Sequence, residues 1–103
     1  MLRAHVAEET GALLGFFTVR GAPPDGELDC LYIEPAAIGR GVGGALLRAA
    51  IALAGSEGFR ALAIHADPNA EAFYLRHGAA RIGEVPSGSI PGRTLPLLRL
   101  PID

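Results

Sequence analysis

A single cysteine in 103 residues leaves no partner for an internal disulfide, so the fold must close on packing alone. That residue, Cys30, points to a reducing, cytoplasmic setting rather than a secreted one. No uncharged apolar run approaches the length of a membrane span, since residues 45–54 are too few and carry Arg48. No N-terminal stretch has the basic start, apolar middle and cleavage site of a secretory leader. Charge of either sign is sparse: 9 basic against 11 acidic residues leave a formal net charge of −2. Neither nucleic acid nor an anionic membrane surface is therefore an expected partner, and any anion site must be local. Internal repeats and low-complexity tracts are missing too. Hydrophobic residues make up 50% of the chain, enough for one folded core, and a single domain over 1–103 is expected.

A weakly alternating stretch, residues 3–8, and an apolar one, 12–20, flank Glu9-Thr10-Gly11 and predict a hairpin, with Gly15 marking a bulge or a close backbone approach. Prolines and glycines over 21–26 predict a loop. Residues 27–33 predict a third strand, with Glu27, Asp29, Leu31 and Ile33 on one face and Leu28, Cys30 and Tyr32 on the other. A helix is expected from Val42 to Ser56, its apolar stripe carried by Leu47, Ile51 and Ala54 with Leu46, Ala50 and Leu53 beside it. Residues 59–65 follow as a strand parallel to the third. Asp67 as a cap and Pro68 at the first helical position predict a second helix through His77, closed by Gly78. Strands at 81–85 and 95–102 enclose a loop at 86–93, and Pro96 and Pro101 demote the last strand to an edge or restrict it to its ends. The fold class is α/β: a mixed, mostly antiparallel sheet flanked by helices in the order β-β-β-α-β-α-β-β.

The stretch 39–44, Gly39-Arg40-Gly41-Val42-Gly43-Gly44, sits between a strand and a helix. Glycines there admit an anion to the unpaired N–H groups of a helix start, which suits a diphosphate-bearing ligand. A Walker-type loop fails, because no Lys-Ser or Lys-Thr follows the glycines. A dinucleotide fingerprint is met by Gly39, Gly41 and Gly44, with Asp67 placed as a ribose-binding acid. That fingerprint turns directly off its strand, however, whereas here residues 34–38 intervene.

A third pattern is more specific. Ile33-x-Pro35, the glycine turn, an apolar helix, a strand, then Asn69, Ala72-Phe73-Tyr74 and Gly78-Ala79 closely resemble the GNAT superfamily of acyl-CoA-dependent N-acetyltransferases. The resemblance runs from about His5 to the end, where residues 83–96 resemble the final hairpin of many small bacterial members. It implies acetyl-CoA as co-substrate, no metal, and an amine acceptor on a small molecule or peptide. It also implies that Gly39, Arg40, Gly41, Val42, Gly43 and Gly44 hold the pyrophosphate, mainly through backbone N–H groups. The strands at 31–33 and 62–65 would splay, so that Leu31 and Ile33 offer backbone groups to the pantetheine arm and an N–H to the thioester oxygen. Asn69 matches the residue that bonds that arm, and Tyr74 the general acid that protonates the departing thiolate. Phe73 reads as packing.

Glu27 and Asp29 are the candidate bases, with Glu34 behind them, although each also reads as a solvated carboxylate. Cys30 reads as a small buried hydrophobe rather than an acyl carrier. His5, His65 and His77 lack metal-ligand spacing, and only His65 lies near the presumed donor site. Two departures stand out. Ile38 replaces the Gln or Arg that usually opens the turn, leaving Arg40 to compensate, and the usual first strand and two acceptor-side helices do not precede residue 1. An uncovered edge and apolar wall predict a homodimer, with the 86–93 loop reaching across it or over the acceptor. The functional expectation is N-acetyl transfer by direct attack in a ternary complex. A non-catalytic acyl-CoA-binding module is its first rival and a dinucleotide-binding domain its second.

Overall fold

Thr10 and Gly11 take positive φ, +49° and +81°, and so reverse the chain between two extended runs. The computed structural model describes residues 2–88 and 90–102, excepting the Leu2 side chain. Ser89, inside the expected 86–93 loop, lies outside the described residues. The hairpin is β1 (Leu2–Glu9) with β2 (Ala12–Ala22), followed by β3 (Asp25–Ile33). A 3-10 turn, Pro35–Ala37, leads to α1 (Val42–Ser56), then β4 (Ala61–His65), α2 (Glu71–Arg76), β5 (Ala80–Pro86) and β6 (Thr94–Pro101). The sheet order is β1-β2-β3-β4-β6-β5, parallel only where α1 connects β3 to β4.

Four sequence expectations need correction. The 21–26 loop shrinks to a tight turn, because Pro23 and Pro24 fill only the turn positions and the ladder runs on to Ala22 and Asp25. Asp67 caps a turn rather than a helix: its carboxylate accepts from the Asn69 N–H at 2.7 Å, and α2 starts only at Glu71. Of the two readings of Pro96 and Pro101, the edge fails and the restriction to the strand's ends holds, because β6 is an interior strand. Its ladder to β4 covers Leu97 to Pro101, so Pro96 falls beyond it and Pro101 at its end. Finally, a bulge at Asp29 breaks the alternation of β3, since Thr18 pairs with Cys30 but Val19 with Leu28. Leu28 therefore shares a face with Leu31 and Ile33, across from Phe17 and Val19.

That face is the core. Phe17, Val19, Leu28, Leu62, Ile64, Leu98 and Leu100 from the sheet pack against Leu46, Leu47, Ala50 and Ala54 of α1 and Tyr74 of α2. Both helices thus lie on one side. On the other, Val6, Tyr32 and Ile82 are 50%, 38% and 58% exposed. Gly15 marks both features expected of it: the register shifts beside it, and a Cβ would meet the Tyr32 carbonyl oxygen at 2.4 Å and Leu46 Cδ1 at 2.9 Å. That space seats the start of α1 tightly on the sheet, where the site forms.

Candidate active site

β3 and β4 pair over only three positions, Asp25 to Glu27 against Ala61 to Ala63. Beyond them β3 continues with β2 and β4 with β6, so the strands part and leave their facing backbone groups unpaired. The tip of this split meets the start of α1. Gly39 and Gly41 adopt φ of +88° and +78°, the left-handed region that strains any residue with a Cβ. The first helical bond runs from the Ala45 N–H to the Gly41 carbonyl at 3.1 Å. The N–H groups of Val42, Gly43 and Gly44 therefore have no helical partner and face the positive end of the dipole.

α2 closes the third side. The Phe73 ring lies over Gly43, where a Cβ would meet it at an ordinary contact distance of 3.5 Å. The result is a cleft of about 540 Å³ lined by Leu31, Ile33, Gly39, Gly41, Val42, Gly43, Gly44, Asn69 and Tyr74, all expected from sequence. Ala37, Ile38, Ala70, Phe73 and Arg76 complete the lining. Phe73 stands edge-on to Tyr74, 5.2 Å between centroids, so it packs and lines at once. Arg76 carried no motif signal, and only its place one turn after Phe73 could have singled it out. A larger hollow of about 900 Å³ lies at the far end of α1, between Ile51, Phe59, Arg60 and Ile102. It holds none of the site residues singled out from the sequence, so the smaller cleft is the candidate site.

Tyr74 is 8% exposed, and its hydroxyl makes no hydrogen bond with the described residues. Burial pushes its phenol up to about 12, with the nearby Cys30 adding to the shift, so it is protonated throughout the neutral range. The Cys30 thiol, half-buried and beside Asp29, is also raised, first by desolvation and then by that carboxylate. A protonated thiol is a poor nucleophile, in keeping with its reading as packing rather than acyl carrier.

Six sequence candidates stay outside the cleft. Arg40 is held at 2.9 Å by Glu9, and its N–H donates to the Ala37 carbonyl. Glu27 pairs with Arg20 in register on the uncovered face, and Asp29, the bulge residue, lies 3.5 Å from the Arg20 guanidinium. Glu34 accepts a 2.9 Å hydrogen bond from the Tyr32 hydroxyl, which raises that phenol. Asp67 and His65 are exposed and absent from the lining. No cluster of metal-ligating side chains occurs among the described residues, and no helix there is long and apolar enough to cross a membrane.

The sequence matches the model of the acetyltransferase (GNAT) family over residues 2–79. No curated protein matches the chain in sequence. Among solved structures, a GNAT-family protein from Desulfovibrio desulfuricans has a TM-score of 0.88 at 19% identity, over 99% of this chain and 70% of that one. The GCN5-related N-acetyltransferase from Rhodopseudomonas palustris is 30% identical with a TM-score of 0.83, over 97% of this chain and 61% of that one. An aminoglycoside 6'-N-acetyltransferase complexed with coenzyme A has a TM-score of 0.86 at 15% identity, over 99% of this chain and 73% of that one. The present chain thus spans less than two thirds of the Rhodopseudomonas protein.

Proposed function

This chain belongs to the acetyltransferase (GNAT) family, and from that premise we propose that it moves an acetyl group from acetyl-CoA to a primary amine by direct attack in a ternary complex. One observation carries the reading: the split between β3 and β4, the free N–H groups of α1 and the protonated Tyr74 all open into the same cleft. The pyrophosphate takes the N–H groups of Val42, Gly43 and Gly44. The pantetheine arm lies in the split as an added strand along Leu31 and Ile33, with Asn69 bonding it from the α2 side. An N–H of parted β3 donates to the thioester oxygen as charge develops there.

The amine reaches the split from the uncovered face. Asp29 or Glu27, both on that side, takes a proton from the ammonium, directly or through water. The amine nitrogen then bonds to the carbonyl carbon, the C–S bond breaks, the sulfur departs as thiolate, and the nitrogen releases its surplus proton to water. The Tyr74 hydroxyl donates a hydrogen bond to that sulfur. At about 12 the phenol is a weaker acid than a thiol near 8.5. Its contribution is a hydrogen bond that stabilises the leaving group, rather than the full protonation of the thiolate that the resemblance implies. No metal takes part in this scheme.

Tyr74→Phe tests it. Thiol release with a primary-amine acceptor should fall about 100-fold while acetyl-CoA binding stays within threefold. Unchanged release would remove Tyr74 from the chemistry. A wild-type protein that binds acetyl-CoA yet acetylates no amine would favour a binding module acting with a partner, a reading supported by the open acceptor side. We further propose that the uncovered face is covered by a second copy and that the protein works in the cytoplasm, where the free Cys30 remains reduced.

A further inference from the structure

Just outside the cleft, α1 and α2 approach each other in a notch at Gly44. A Cβ on Gly44 would lie 3.2 Å from Arg48 Nη1 and 3.4 Å from His77 Nε2, so a cation and an imidazole converge on one point beside the helix start. The His77 ring is fixed there. Its Nδ1–H donates to the Phe73 carbonyl at 2.9 Å, and the ring leans on that of Phe73 with 4.6 Å between centroids. Nε2 therefore presents a lone pair to the notch while the ring is neutral, and a second N–H once it is protonated. Arg76, the residue before it, lines the cleft itself. Neither Arg48 nor Arg76 has an ion-pair partner among the described residues, whereas Arg40, the arginine of the turn, is tied to Glu9. The one acid of α2, Glu71, faces Arg81 instead.

We infer that Arg48, Arg76 and His77 form a clamp for a phosphate monoester at the nucleotide end of the acyl donor, separate from the backbone cradle that takes the diphosphate. It rests on the donor reading above and deepens it: the clamp selects coenzyme A over its 3'-dephospho form. The dianion accepts from the guanidiniums of Arg48 and Arg76, beside the fixed ring of His77. The backbone cradle gives no such discrimination, because the diphosphate is common to both compounds.

Calorimetric titration with coenzyme A and with 3'-dephospho-coenzyme A tests the clamp. The wild type should bind coenzyme A at least tenfold more tightly. Arg48→Gln/Arg76→Gln should bind both compounds with the wild type's affinity for the dephospho form. His77→Gln should keep only part of the preference. Equal wild-type affinities, or a preference that survives in the double variant, would overturn the clamp and leave the donor reading intact. Binding of neither compound to the wild type would overturn both. These side chains sit at the surface of α1 and α2, and circular dichroism of each variant checks that the fold is retained.

Discussion

The two faces of the sheet differ in everything that matters for function. One is roofed by α1 and α2, holds the core, and builds the donor cleft where the helices meet the split. The other carries Val6, Tyr32 and Ile82 in the open, with the Phe16 and Tyr32 rings 5.4 Å apart and the acids Glu27 and Asp29 at its edge. The donor side is thus preorganised by packing, whereas the acceptor side is presented but unenclosed. In the proposed function, preorganisation fixes which donor the chain takes, and the open side leaves the identity of the amine to whatever covers it.

The largest effect that would break this contrast is a cavity in the roofed face. Leu62 is fully buried, and Leu62→Ala should cost about 3 kcal/mol in denaturant unfolding, against a few tenths for Val6→Ala. Comparable losses at both sites would mean that the second face is also covered. Next comes the buried phenol. The folded state raises the Tyr74 pKa to about 12 from an unfolded value of 10, so its stability contribution is complete below pH 10 and disappears as pH rises toward 12. Wild type should lose about 2–3 kcal/mol across that window that Tyr74→Phe does not lose. Parallel curves for the two proteins would place the phenol in water.

Smaller again is the glycine turn. A Cβ at Gly41 would meet nothing within 4 Å, yet its φ of +78° should make Gly41→Ala cost about 1 kcal/mol from backbone strain alone. The same variant should weaken acetyl-CoA binding several-fold by shifting the adjacent N–H groups, and unaltered affinity would locate the diphosphate elsewhere. On the open face, Ile82→Asp should leave monomer stability nearly unchanged while splitting a dimer in light scattering at micromolar concentration. A monodisperse wild-type monomer would remove the second copy from the account.

The sequence was most informative where local chemistry dictates structure. α1 begins and ends where its stripe and glycine signals place it, Gly78 takes the left-handed φ of a helix C-terminus at +102°, and nine residues of the cleft were named in advance. It misled where tertiary pairing overrides local signals. The Asp29 bulge exchanges faces along β3, and no periodicity in a single strand reveals a register set by its neighbour. Pro96 looked like an edge marker because the extent of the β4 ladder is not written in β6. Arg40, read as a replacement for the missing contact at Ile38, turns to Glu9, some thirty positions away. Tyr74 was identified by motif, but its acidity belongs to the packing around it.

Titration of acetyl-CoA into the purified protein, with NADH as a parallel control, tests the central claim most directly. Saturable binding of one acetyl-CoA per chain, with no heat from NADH, is the predicted result. Silence with acetyl-CoA would show that the cleft, although shaped by family geometry, does not take the family's donor, and the proposed acetyl transfer would fall with it.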